Sequence, residues 1–222
     1  MSSPAAEASS GPGAPDGVEC PLFDVHVSPA GHVLAVGAYN LACASPDGGQ
    51  HWRAVQLDNP DGLHLYAARA RGRRTVICGE QGIVLRSDDS GATFQRLKTP
   101  YRGSFFTLEL PSDDEIVLGG LRGNVWRSSD SGLTWSRWVV PSDAAVTASA
   151  TDDQGQVLLA NQAGMVLGER SGRMEVLASG LAPINGLLVL PSGDALLMSM
   201  AGTLPVTLKH EVQRLNSSGA HK

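Results

Sequence analysis

Apolar positions along this chain gather in short runs separated by turn residues, and no stretch keeps a sustained helical rhythm. FDVHV, LYAAR, FFTLEL, VTASA and INGLLVL each lead into a turn rich in Gly, Pro, Asp or Arg. A second run follows each of them (HVLAVG, TVICG, EIVLGG, QVLLAN, ALLMSM), then a polar hinge and a third run (LACAS, IVLRS, NVWRS, MVLGE, TLPVT). A fourth closes each unit: HWRAVQL, TFQRL, TWSRWVV, MEVLAS and EVQRL. Short runs with β-branched and aromatic residues, punctuated in this way, predict strands and almost no helix.

The order of runs recurs. Aligning Asn40, Gly82, Gly123, Gly164 and Gly202 gives steps of 42, 41, 41 and 38 residues, with units opening near Leu22, Leu63, Phe105, Val146 and Ile184. Four strands in about 40 residues match the blade of a β-propeller. A sandwich has no reason to repeat at this spacing, and leucine-rich or helical solenoids have shorter periods or helical faces. The expected fold is all-β: a β-propeller of four-stranded blades, about five of them visible. It is expected over 21–216, after a disordered leader at 1–20 built from Ser, Pro, Ala and Gly, and before a disordered tail at 217–222.

Three units carry a common octad between the third and fourth runs: SPDGGQHW at 45–52, SDDSGATF at 87–94 and SSDSGLTW at 128–135. A tight hairpin there calls for positive φ, which Gly49, Gly91 and Gly132 permit. Asp47, Asp89 and Asp130 can accept hydrogen bonds from turn amides, and Ser45, Ser87 and Ser128 can tie the strand ends. Trp52, Phe94 and Trp135 are expected to plug the gaps between neighbouring blades. The octad reads as a structural staple. Asp88-Asp89-Ser90-Gly91 lacks the further oxygen ligands and closing Glu of a calcium loop.

These octads resemble the Asp-box, or bacterial neuraminidase repeat, S-x-D-x-G-x-T-W. The longer phrases GEQGIVLRSDDSGATF and GLRGNVWRSSDSGLTW are similar to the photosystem II stability/assembly factor-like family of Asp-box propellers, and PYRGSFF at 100–106 resembles its bacterial members outside photosynthesis. The likeness runs over roughly 22–215, strongest in the second and third units. It implies an assembly factor that binds a protein client. Photosynthetic members are seven-bladed with an arginine-lined surface, whereas five units are visible here.

A net charge of −5 argues against a nucleic-acid binder, which needs a basic face. No apolar run approaches the roughly 18 residues of a membrane span, and the N-terminus lacks the basic and apolar regions of a signal peptide. As written the chain reads as cytoplasmic; a true start upstream would make it exported or periplasmic. Cys20, Cys43 and Cys78 lack metal-ligand spacing, and the latter two sit in apolar runs as buried free thiols. No metal or cofactor is expected.

Catalytic signatures are missing too. There is no G-x-S-x-G elbow, no H-E-x-x-H and no phosphate loop. His26 and His64, on inner strands, read as core or channel residues. A sialidase, which also carries Asp-boxes, needs three arginines, a Tyr–Glu pair and an acid/base Asp. No spacing selects such a set, although a carbohydrate-binding or sialidase-like propeller stays as the competing reading. Arg69, Arg71, Arg73 and Arg74 form the densest charge, either a solvated turn or half of a docking patch for an acidic partner.

Strand alternation puts the octads and the first-to-second-strand turns on one face. The hinges between second and third strands and the inter-blade loops DNPDGLH, KTPYRGS, VPSDAA and GLAPIN emerge on the other. Variable loops on a rigid ring are where partners are recognised. Tyr101 and Arg102 beside Arg122, with Tyr39 and Gln81 at neighbouring hinges, are the candidate partner-binding residues. The expected function is a non-enzymatic interaction scaffold or assembly factor docking a protein on that face, with self-association to complete or stack the ring as a third reading.

Overall fold

The computed structural model describes residues 21–170 and 172–208. Each unit of the repeat becomes one antiparallel sheet whose strands pair in chain order. Blade one holds β1 (Leu22–Val27), β2 (Val33–Gly37), β3 (Ala42–Ser45) and β4 (Arg53–Ala54). Blade two holds β5 (Leu65–Arg71), β6 (Arg74–Gly79), β7 (Val84–Ser87) and β8 (Gln95–Arg96). Blade three holds β9 (Phe105–Glu109), β10 (Ile116–Gly120), β11 (Val125–Ser128) and β12 (Ser136–Trp138). Blade four holds β13 (Val146–Thr151), β14 (Val157–Asn161), β15 (Val166–Arg170) and β16 (Arg173–Ala178). Blade five holds β17 (Ile184–Val189), β18 (Ala195–Ser199) and β19 (Gly202–Val206). Its expected fourth run, EVQRL at 211–215, lies outside the described residues, as do the leader, the tail and Cys20.

The protein is thus an all-β propeller of five blades, and among the described residues helix is limited to 3₁₀ turns at Glu80–Gly82 and Leu121–Gly123. The first strands β1, β5, β9, β13 and β17 pack one against the next and line the inside. Middle strands are covered on both sides. In blade two Ile77 and Leu85 enter the core shared with blade one, while Val76, Cys78 and Val84 enter the core shared with blade three. Burial of both faces explains why TVICG and EIVLGG read as continuous apolar runs rather than alternating ones.

Four such cores join successive blades, and among the described residues none joins blade five to blade one. Blade one nevertheless keeps the apolar pattern of a covered face. Its register matches that of blade three, with Leu22 against Gly37 and Val25 against Ala35, as Phe105 is against Gly120 and Leu108 against Leu118. Phe105 and Leu108 are fully buried, whereas Leu22 and Val25 are 56% and 57% exposed.

This uncovered face corrects one expectation. Phe94 packs on the core between blades one and two, and Trp135 on that between blades two and three. Each octad aromatic therefore faces the preceding blade. Trp52 has no described blade before it, remains 45% exposed, and donates its indole N–H to the Gly49 carbonyl of its own turn at 2.9 Å. It plugs no gap.

Candidate functional site

The octads form closed hydrogen-bond networks. Ser128 Oγ donates to Asp130 Oδ1 at 2.8 Å and accepts from the Gly132 N–H at 2.7 Å. Asp130 also accepts from the Thr134 backbone N–H at 2.8 Å and hydroxyl at 2.6 Å. Ser87, Asp89, Gly91 and Thr93 repeat this pattern. In the first octad His51 stands in for the threonine, its Nδ1 lying 2.6 Å from Asp47 Oδ2. The Thr134 hydroxyl, with the Thr134 amide and Ser128 behind it, lowers the Asp130 carboxyl to about 2. Asp47 and Asp89 are lowered as well, first by the His51 and Ser87 side chains respectively. Gly49, Gly91 and Gly132 hold φ of +94°, +82° and +86°.

Each octad is also tied to the first turn of its own blade. Gly48, Ser90 and Ser131 donate backbone N–H bonds to the carbonyls of Gly31, Arg73 and Asp114 at 3.1, 2.8 and 2.8 Å. Octads and first turns therefore share a face. Four arginines there are engaged. Arg71 pairs with Asp113 at 3.0 Å, and Arg74 with Asp88 and Asp114 at 3.2 and 3.5 Å. Arg86 pairs with Asp88 and donates to the Ser131 carbonyl of the next blade. Arg127 bridges Glu115 and, across the blade junction, Glu169. Three members of the run at 69–74 are thus ion-paired, and among the described residues only Arg73 of the four has no such partner.

The inner wall carries a polar chain that sequence reading missed. Asp24 accepts from Arg69 Nη1 at 2.6 Å, Arg69 Nε lies 3.7 Å from Glu109, and Glu109 accepts from the Ser149 and Thr151 hydroxyls at 2.8 and 2.9 Å. These residues belong to β1, β5, β9 and β13, so the chain crosses four blades. Glu109 is buried, which pushes its carboxyl up against the opposing pull of Arg69. Burial also lowers His26, whose Nε2 has no hydrogen-bond partner. Arg69 and Arg71 are the only arginines on the described inner strands, and both are ion-paired, so no three-guanidinium grip on a sugar carboxylate is assembled there. A cleft of about 520 Å³ between blades one and two opens on the octad face and is lined by His26, Ala70, Ser90 and Gly91 among others.

The opposite face is built differently. Tyr39, Gln81 and Arg122 occupy the same hinge position in blades one, two and three, at φ of +52°, +52° and +55°. A side-chain-bearing residue in that region costs on the order of 1–3 kcal/mol, and the octads hold Ser90 and Ser131 there as well, at +63° and +64°. The following glycines fix the hinge height: a β-carbon on Gly82 or Gly123 would sit 2.0 or 2.2 Å from the Tyr101 or Ser142 carbonyl oxygen. Tyr101 is half-buried, its ring 5.3 Å from that of Phe105 and its hydroxyl donating to the Leu121 carbonyl at 3.2 Å. Arg102 is exposed. Arg122 and Arg137 line an open groove of about 380 Å³ with Val139, Pro141, Ser142 and Asp143. Among the described residues Arg102, Arg122 and Arg137 form no ion pair. The structure thus brings Tyr101 and Arg122 together, through Leu121, and leaves Tyr39 and Gln81 on the neighbouring hinges. Arg137, which sequence reading passed over, enters the groove because it precedes Trp138 on β12, and Trp138 is buried in the core between blades three and four.

Comparison with known proteins agrees with this architecture. The chain is 28% identical over 97 residues to the photosystem II assembly lipoprotein Ycf48 of Synechococcus sp. (strain CC9902), which covers 43% of this chain and 27% of the relative. The solved structure described as YCF48 bound to D1 peptide superposes with a TM-score of 0.67 at 17% identity, covering 81% of this chain and 60% of that one. YCF48 from Cyanidioschyzon merolae gives 0.70 at 16% identity, covering 88% and 70%. The chain therefore spans only part of the length of these relatives, and at such identities the two structures speak to the fold alone. The family described as photosynthesis system II assembly factor YCF48 matches residues 16–166, more than half of these 222 residues, and the protein belongs to that family.

Proposed function

We propose that this chain is a non-enzymatic scaffold or assembly factor that docks a protein partner on the face bearing the inter-blade loops. The observation that carries the reading is the distribution of guanidinium groups. On the octad face Arg71, Arg74, Arg86 and Arg127 are held by carboxylates while Arg53, Arg73, Arg170 and Arg173 are not, and on the loop face Arg102, Arg122 and Arg137 cluster around Tyr101 with no ion-pair partner among the described residues. An aromatic ring beside free arginines is the composition of an interface hot spot, and it suits carboxylates of a partner polypeptide. The relative solved with a D1 peptide and the curated assembly lipoprotein lend support by kinship.

Affinity capture from the native host, read by mass spectrometry, tests this. Arg122→Glu with Arg137→Glu is expected to weaken retention of the enriched protein by about tenfold or more while the melting temperature holds. The same reversal at the octad-face residues Arg71 and Arg73 is expected to leave capture unchanged. Equal loss from both pairs, or loss from the second alone, rejects the loop face as the docking surface.

A further inference from the structure

In every blade the pairing of the innermost strand slips at its second residue. The register skips between Leu22 and Asp24, Leu65 and Ala67, Phe105 and Thr107, Val146 and Ala148, and Ile184 and Gly186. The skipped residues are Phe23, Tyr66, Phe106, Thr147 and Asn185. A bulge re-aims the side chain it carries, and these five lie at the strand ends nearest the inter-blade loops.

In blades one to three the skipped residues are aromatic and meet across the blade boundaries. Phe23 and Tyr66 have ring centroids 5.5 Å apart, and Tyr66 and Phe106 are 5.2 Å apart. His64 joins them at 6.1 Å from Phe23, and Tyr39 stands edge-on to His64 at 4.8 Å. Four of the chain's seven Phe and Tyr residues gather here, yet none of the four belongs to an inter-blade core. Phe23 is 46% and Tyr39 67% exposed. Packing does not account for a strip of rings that three blades supply and no core uses.

Carboxylates lie beside the strip at its blade-two end, while exposed Arg102 stands in the loop that leads into Phe106. Glu80, in the hinge of blade two, accepts the His64 backbone N–H at 3.2 Å, and its charge acts on the Tyr66 hydroxyl after burial. Asp58 and Asp61 are exposed in the loop that leads into His64. None of the three carboxylates is ion-paired among the described residues. The His64 Nδ1 accepts the Tyr39 N–H at 3.0 Å, and the inner-wall cation Arg69 is held by Asp24 and Glu109.

Aromatic faces beside an unneutralised carboxylate select a cation on an apolar stem. We propose that the strip of Phe23, Tyr66 and Phe106 receives an arginine or lysine side chain of the docked polypeptide. Its methylene stem lies along the rings and its charge sits between them and Glu80. This rests on the docking reading above and deepens it. The face is then polarised, with a cation-accepting strip over blades one to three and carboxylate-accepting arginines over blades three and four.

The test is an NMR titration of the full chain with the peptide acetyl-Gly-Arg-Gly-amide, against the same peptide with uncharged citrulline and against cellobiose. The arginine peptide is expected to move the ring signals of Tyr39 and Tyr66 at concentrations where the other two leave them unmoved. Glu80→Gln is expected to weaken that binding about 5-fold, the upper end for losing a solvent-exposed ion pair of about 1 kcal/mol, and Tyr66→Leu to remove it through the lost cation–π contact. Equal response to citrulline, preference for cellobiose, or unchanged affinity in Glu80→Gln overturns the assignment. Partner capture separates the two proposals. If Arg122→Glu with Arg137→Glu abolishes capture while Tyr66→Leu changes nothing, the docking face stands and the strip falls. If the peptide titrates but capture ignores the arginine pair, the strip stands and the loop-face arginines fall.

Discussion

Trp135→Ala and Trp52→Ala change the same letter of the same octad, yet they are expected to differ severalfold in cost. Trp135 packs on the core between blades two and three, beside Leu97 and Ile116. Truncating a fully buried tryptophan costs about 3–5 kcal/mol, and the partial exposure of this one brings the expectation to about 2–3 kcal/mol. Trp52 is 45% exposed and folds only over its own turn, where its indole N–H reaches the Gly49 carbonyl. Losing one exposed hydrogen bond and a little contact amounts to under about 1 kcal/mol. Urea unfolding followed by circular dichroism measures both, and calorimetry should place the melting point of Trp135→Ala about 4–12 °C below the parent. Phe94→Ala, between blades one and two, belongs with Trp135. A Trp52→Ala loss as large as that of Trp135→Ala would mean that blade one is covered in solution, and the argument from its exposed face would fail.

Three further outcomes follow from the geometry. Ser128→Ala should cost about 2 kcal/mol in the same unfolding assay, because the Gly132 N–H loses the buried hydroxyl that it donates to; a neutral result would make the octad decorative. Glu109→Gln should flatten the pH dependence of stability on the side above pH 4.5, and an unaltered profile would contradict the buried-carboxylate assignment. The sign is fixed by burial, which raises the Glu109 carboxyl above its ordinary 4.5; the associated stability is complete below that value and is lost as pH rises through the raised one. The octad aspartates, all lowered, act oppositely and in a separate window, losing their contribution only as pH falls below the ordinary 3.8. Finally, Cys78, fully buried and pushed upward by that burial, should resist alkylation until the protein unfolds, whereas half-buried Cys43 should react first; equal rates would contradict this packing.

The architecture was legible because it repeats. A turn chemistry written three times at steps of 42 and 41 residues separates local necessity from accident, and each strand end that the octads imply is found where expected. Strand length was less legible. HWRAVQL reads as a long fourth strand, yet only Arg53 and Ala54 pair, because Trp52 is turned back over its own glycine and the chain leaves the sheet soon after. Edge strands with one neighbour have little to hold them, and apolar pattern does not register that. Nor does pattern distinguish an aromatic residue whose neighbouring blade exists from one whose neighbour does not, which is why Trp52 was grouped with Trp135.

The same limit governs the candidate site. Tyr101 and Arg122 could be placed on one face by counting strand reversals, since alternation of direction is a topological fact that survives any error in strand length. Their availability could not be read that way. Tyr101 spends its hydroxyl on Leu121, and Arg137 becomes part of the groove only because β12 puts it next to the buried Trp138. The inner polar chain was illegible for a further reason: Asp24, Arg69, Glu109 and Ser149 stand 45, 40 and 40 residues apart, and only the stacking of blades makes neighbours of them. A repeat therefore announces its scaffold through likeness between units, while its recognition chemistry resides in the positions where the units differ. Tyr39, Gln81 and Arg122 show this most plainly: three different side chains are held in one uncommon backbone geometry at one height on the same face. If the hinge conformation were merely tolerated, glycine would serve at all three, as it does one residue later at Gly82 and Gly123. Ser90 and Ser131 of the octads hold the same conformation at +63° and +64°, so the faces differ in the side chains they carry there, a tyrosine, a glutamine and an arginine at the hinges against serines in the octads, and not in the backbone cost.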